Sequence, residues 1–200
     1  FRGVRATGGI TLLAMGVMLS AVYYAWPSTA LDATGFRDLI VVDNFTQFVK
    51  CMVLLASTLV LGMSFDWLAI GPHKKFEYPI LVLLSTAGLM VMVSANDLLS
   101  LYLGLELSSL SLYVLATFDR DNAVSSEAGI KYFVLGALAS GMLLFGASLV
   151  YGYTGTTNFS VMSDLFAASE DAQASVAYGA IVGMVMLVVA LLVMYVGKIK

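Results

Sequence analysis

Apolar residues gather along this chain in six stretches, each close to the roughly 20 residues that an α-helix needs to cross a bilayer. They fall at 8–26, 45–64, 79–95, 97–118, 127–151 and 177–197. The polar segments between them are short and carry the helix-stopping residues. Pro27 ends the first stretch, Gly71-Pro72 lies in the loop after the second, and Pro79 begins the third, where its missing N–H costs nothing. Only Asn96 separates the third stretch from the fourth, and Asp97 is placed to cap the following helix, so these two form a tight antiparallel hairpin. The pattern predicts an all-α fold: a polytopic transmembrane bundle of about six spans, forming a single domain over residues 1–200.

Composition strengthens that reading. Hydrophobic residues make up 60% of the chain and charged residues 12%, against about 25% charged in an average soluble domain. A water-soluble core of this size has no room for such an excess. Helices filling most of the chain leave no space for a nucleotide-binding domain, and the sequence has no Gly-rich phosphate loop or dinucleotide fingerprint. Cys51 and His73 are the only residues of their types, which gives no recognisable metal-ligand spacing and no internal disulfide. A net charge of −3 offers no basic field for nucleic acid. The chain opens Phe1-Arg2-Gly3 without a signal-peptide pattern and ends on an apolar stretch, which reads as a piece of a longer or processed protein.

The basic residues then orient the bundle. With the N-terminus inside, Arg2, Arg5, Lys74, Lys75, Arg120, Lys198 and Lys200 share the inner side, and Arg37 alone falls outside. Lys50 and Lys131 lie within spans, Lys50 close enough to the outer end for its ammonium to snorkel to the interface. This asymmetry is what the positive-inside rule expects of a correctly divided chain. The outer segment 152–176 agrees, with Asp164, Glu170 and Asp171 and no basic residue.

Candidate chemistry centres on Glu106. It lies about nine residues from the outer end of the fourth span and about twelve from the inner end, too deep to snorkel at about 1.5 Å per residue. An ionisable group at this depth costs about 2.5–3.5 kcal/mol to insert and by default marks an ion or proton pathway. Tyr102, Ser109 and Tyr113 stand at i−4, i+3 and i+7, completing a polar stripe on a leucine-rich helix. The competing account is a protonated glutamate that only hydrogen-bonds a neighbouring helix. Lys131 follows Glu127 by four residues, a spacing that permits a local ion pair, and its position suits a proton-path residue or a snorkelling lysine equally well. Gly136/Ser140 and Ala137/Gly141, with Gly146 beyond, have the small-residue spacing of close helix packing. Asn158-Phe159-Ser160 matches a glycosylation acceptor, a pattern common by chance.

The run Ser94-Ala95-Asn96-Asp97-Leu98-Leu99-Ser100-Leu101-Tyr102-Leu103-Gly104-Leu105-Glu106-Leu107 resembles the subunit N family of proton-translocating NADH-quinone oxidoreductase, complex I. Glu127-Ala128-Gly129-Ile130-Lys131-Tyr132-Phe133 and Gly136-Ala137-Leu138-Ala139-Ser140-Gly141, continuing through Leu144-Phe145-Gly146 to Tyr151-Gly152, are similar to that family's sixth helix in order and spacing. The resemblance covers residues 79–192 well and 1–78 more loosely. It implies that the chain corresponds to roughly the second to seventh helices of a longer member, within an antiporter-like fold of inverted repeats. It further implies that Glu106 and Lys131 are proton-transfer residues of the first half-channel. The family's seventh-helix lysine would fall near Met194, and Lys198 comes about one turn later, as a relay or an inner-face anchor.

What the resemblance implies for function is a membrane-arm subunit that translocates protons coupled to quinone reduction. Tyr102, Ser109 and Tyr113 would bridge Lys131 and Glu106. No cofactor is expected in this chain; NAD, flavin, iron–sulfur centres and quinone would belong to partner subunits. The expected partners are other membrane-arm subunits, the lipid bilayer and protons, in a bacterial plasma membrane before a mitochondrial inner one. The rival accounts are a cation/proton antiporter subunit of the same fold and a non-pumping assembly scaffold or remnant.

Overall fold

A computed structural model describes residues 33–35, 38–69 and 77–167, together with separate helical positions between 9 and 20 and between 181 and 192. A short antiparallel hairpin, β1 (Ala33–Gly35) and β2 (Ile40–Val42), pairs Ala33 with Val42 and Gly35 with Ile40. Five helices follow: α1 (Asn44–Ala69), α2 (Glu77–Ser94), α3 (Leu98–Ala116), α4 (Ala123–Thr154) and the short α5 (Phe159–Ala167). The first four contain segments long and apolar enough to cross a membrane. They overlap the second to fifth sequence stretches. The first and last stretches lie mostly outside the described residues.

Three of the four spanning helices begin where a side chain satisfies their first N–H groups. Asp43 accepts from the Thr46 amide at 2.7 Å and its own amide donates to Thr46 Oγ1 at 3.1 Å, a reciprocal cap on α1. Asp97 caps α3 through the Leu99 amide at 2.8 Å, and Asn122 caps α4 through the Val124 amide at 2.9 Å. Pro79 sits in the first turn of α2, where no intrahelical N–H is needed. Gly155, at φ 69°, closes α4 in a left-handed conformation that a residue with a Cβ adopts only at a cost.

The α2–α3 hairpin is the tightest seam. A Cβ on Gly88 would stand 2.6 Å from the Ser108 amide nitrogen, and one on Gly104 would stand 2.7 Å from that of Met92, so the two backbones touch. Ser85 and Ser108 hydrogen-bond across the same seam at 3.1 Å. Thr86 Oγ1 donates to Ser57 Oγ at 2.9 Å, and Ser64 pairs with the Tyr78 hydroxyl at 3.0 Å, joining α2 to α1. Short hydroxyl bonds of this kind join helices where apolar burial gives no drive, because the surrounding lipid is equally apolar. Met15, from the helical positions before β1, is fully buried against Leu61 and Val82. Outward-facing side chains such as Met63, 82% exposed, and Leu103, 64% exposed, leave an apolar surface suited to lipid or to neighbouring subunits.

The segments at the outer end, which carry no apolar stretch, fold onto the α2–α3 turn. The Asn96 amide donates to the Leu39 carbonyl at 2.9 Å, and its side-chain amide donates to the Asp38 carbonyl and to Ser160 Oγ, each at 3.0 Å. Leu98 N–H donates to the Thr157 carbonyl and Phe159 N–H to the Asn96 carbonyl, both at 2.9 Å. Thr157 donates its hydroxyl to the Asp97 carboxylate. Hairpin, helix turn and the α4–α5 connection thus share one polar knot. Asn158 belongs to it, accepting from the Ser160 and Val161 amides at the start of α5 and donating to the Asp38 carbonyl.

Candidate proton-path site

The α3–α4 interface carries the site. α4 turns Gly129, Gly136 and Ser140 toward α3, and the fit is close enough that a Cβ on Gly136 would meet the Tyr113 hydroxyl at 2.0 Å. The same addition at Gly129 would collide with the Thr117 methyl at 1.8 Å. Tyr113 fills the notch, edge-on to Tyr132 at 4.7 Å and to Phe133 at 5.8 Å between ring centroids. Of the two small-residue pairs that had signalled packing, Gly136/Ser140 lies against α3, whereas Ala137 and Gly141 are exposed and a Cβ on Gly141 would meet nothing within 4 Å.

Ser140, one turn beyond Gly136 on α4, reaches across to α3. Its hydroxyl donates to Oε1 of Glu106 and lies 3.1 Å from the hydroxyl of Tyr102. Ser109 and Tyr113 lie on the inner side of Glu106, three and seven residues further along α3. The stripe therefore turns Tyr102, Glu106 and Tyr113 toward another helix. It divides into an outer group closed by Ser140 and an inner group closed by the aromatic cluster. Ser140 was absent from the sequence-derived site, although its small-residue spacing with Gly136 had placed it on the packing face; nothing in the sequence says which α3 residue lies opposite.

Lys131 takes a different position. Its ammonium pairs with Glu127 at 2.6 Å, one turn back on the same helix, and both side chains are about two-thirds exposed at 68% and 65%. Nine residues, about two and a half turns, separate Lys131 from Ser140, so the two project from opposite faces of α4. Lys131 and Glu106 are thus not in contact across the α3–α4 seam. Lys198 lies outside the described residues. Gly183 packs against α4 near Val150 and the Gly146 carbonyl, so helical positions from the last apolar stretch meet the outer half of α4. Among the described residues, no three His, Cys, Asp or Glu side chains converge to hold a metal ion.

Comparison with known proteins places this geometry in a family. Residues 95–196, just over half of the chain, match the family model described as NADH:quinone oxidoreductase/Mrp antiporter, TM. The chain belongs to the NADH:quinone oxidoreductase/Mrp antiporter transmembrane family. A relative named NADH-quinone oxidoreductase subunit N, from Paramagnetospirillum magneticum, is 45% identical over 191 residues, which is 96% of this chain and 39% of the relative. The chain therefore spans about two-fifths of that relative's length. Respiratory complex I from Thermus thermophilus contains a chain that superposes with a TM-score of 0.67 at 28% identity, over 90% of this chain and 38% of that one. A chain of the Mrp complex from Dietzia sp. superposes with a TM-score of 0.77 at 24% identity, over 94% and 36%, a likeness of fold. The resemblance to subunit N read from residues 94–107 and 127–152 is matched by relatives bearing that name, and the antiporter-like transmembrane fold is the family's own. α3, with Glu106, and α4, with Lys131 and Ser140, both lie inside the matched segment.

Proposed function

We propose that this chain serves as a membrane-arm subunit of a respiratory NADH:quinone oxidoreductase and takes part in proton translocation coupled to quinone reduction. The observation that carries the reading is the carboxylate of Glu106 near the middle of an apolar helix, turned into a helix interface and hydrogen-bonded by Ser140. Lys131, paired with Glu127 on the opposite face of α4, is the second relay group, and it would be reached from Glu106 through water rather than through the side chains of the α3–α4 seam. Quinone reduction in partner subunits would drive proton transfer along this line. NAD, flavin, iron–sulfur centres and quinone belong to those partners, and the setting is a bacterial plasma membrane.

The deciding experiment replaces Glu106 by Gln in the full-length subunit, within the assembled complex in sealed vesicles. The expected result is a loss of proton translocation coupled to NADH oxidation, with the amount of assembled complex unchanged. Parental translocation per electron would sink the proposal. The Mrp likeness supports a second reading, a cation/proton antiporter subunit. That reading predicts inhibitor-sensitive NADH oxidation indifferent to deletion of the chain, with loss of cation-driven proton exchange instead. A scaffold role predicts reduced complex yield with translocation per electron intact.

A further inference from the structure

We infer that Ser140 is a positioning residue for Glu106: it fixes the carboxylate against α4 and joins it, through Tyr102, to the outer half of the bundle. The inference rests on the proton-path reading of Glu106 and adds a residue and a direction to it.

A serine hydroxyl has one proton and two lone pairs. Ser140 directs its proton to Glu106 Oε1 and lies 3.1 Å from the Tyr102 hydroxyl. With that proton engaged, the Tyr102 hydroxyl is the donor in the second bond. The result is an ordered chain, Tyr102 to Ser140 to the Glu106 carboxylate, crossing from α3 to α4 and back. Tyr102 stands one turn closer than Glu106 to the outer end of α3, about 6 Å along the axis, so the chain leads outward. On the inner side, Tyr113 is engaged with Gly136 and Tyr132 of α4. The carboxylate is therefore held from its outer side by a donor on another helix. Close packing along the rest of the seam, where Tyr113 fills the notch at Gly136, leaves Ser140 little freedom to turn elsewhere.

The test uses the complete complex carrying the full-length subunit, with Ser140→Ala and Ser140→Thr. The Glu106 carboxyl is followed by redox- or pH-induced infrared difference spectroscopy, its band identified as the one lost in Glu106→Gln. Removing the hydroxyl in Ser140→Ala is expected to shift that band and to lower coupled proton translocation about tenfold, the effect of losing one hydrogen bond to a charged group. Ser140→Thr, which keeps the hydroxyl, should restore both band position and rate. An unmoved Glu106 band in Ser140→Ala, or a Ser140→Thr complex as impaired as Ser140→Ala, overturns the positioning role. Failure of the underlying proton-path reading looks different: Glu106→Gln then translocates normally whatever Ser140 does to the band.

Discussion

Single residues in this chain are governed by what a polar group can reach when lipid surrounds it. Glu106 could be singled out from depth alone, because an ionisable group at mid-span demands an explanation. Its partner could not, since Ser140 is one small residue among several on a packing face. Asp43 shows the same logic at the water interface. The Thr46 amide and hydroxyl hold its carboxyl below the ordinary aspartate range, so the folded state favours the charged form. Its capping contribution is therefore complete above that ordinary range and fades only as acidification passes through the lowered folded value. Detergent-solubilised protein should accordingly show no change of stability from this group between about pH 5 and 8. Asp43→Ala should cost about 1 kcal/mol in the same thermal unfolding measurement, the usual worth of an N-cap.

Helices are the scale at which glycine has its effect. Gly88 and Gly104 let α2 and α3 approach until backbone meets backbone, and there no flexible side chain can yield to an added methyl. Gly88→Ala and Gly104→Ala should each destabilise the hairpin by about 1–3 kcal/mol, the ordinary cost of overpacking. Gly62, on α1, has open space where its Cβ would lie, so Gly62→Ala should be neutral or slightly stabilising. Comparing the three variants by the yield of assembled complex and by unfolding in detergent separates close packing from helix propensity. Lys131 belongs to this scale as well. Its local pair with Glu127 was legible as an i, i+4 spacing, whereas its half-turn opposition to Ser140 matters only once Ser140 is known to meet Glu106.

For the molecule as a whole, the outer polar knot decides how separate segments become one body. Asn96 binds the strand hairpin through Asp38 and Leu39 and binds the start of α5 through Ser160 and Phe159. Asp97 binds the Thr157 hydroxyl while capping α3. Asn96→Leu should therefore loosen both attachments without disturbing the spans. Hydrogen–deuterium exchange should rise several-fold at residues 38–42 and 157–162, with α3 and α4 still protected. Exchange unchanged at those two segments would show that backbone bonds alone hold the knot.

Sequence alone determined the membrane as solvent, the stretches that overlap α1 to α4, the turn at Asn96-Asp97 and the mid-span depth of Glu106. These follow from local quantities: the length of an apolar run, the capping chemistry of one carboxylate, the depth of one charge. It missed β1, β2 and α5, because short segments in a polar connection have no periodicity strong enough to announce them. Tertiary structure alone decided that Ser140 faces Glu106 while Lys131 faces away, because the azimuth of one helix against another depends on which small residues admit which large ones. Gly136 takes in Tyr113, and that single fit turns α4 so that a serine, rather than a lysine, closes on the Glu106 carboxylate.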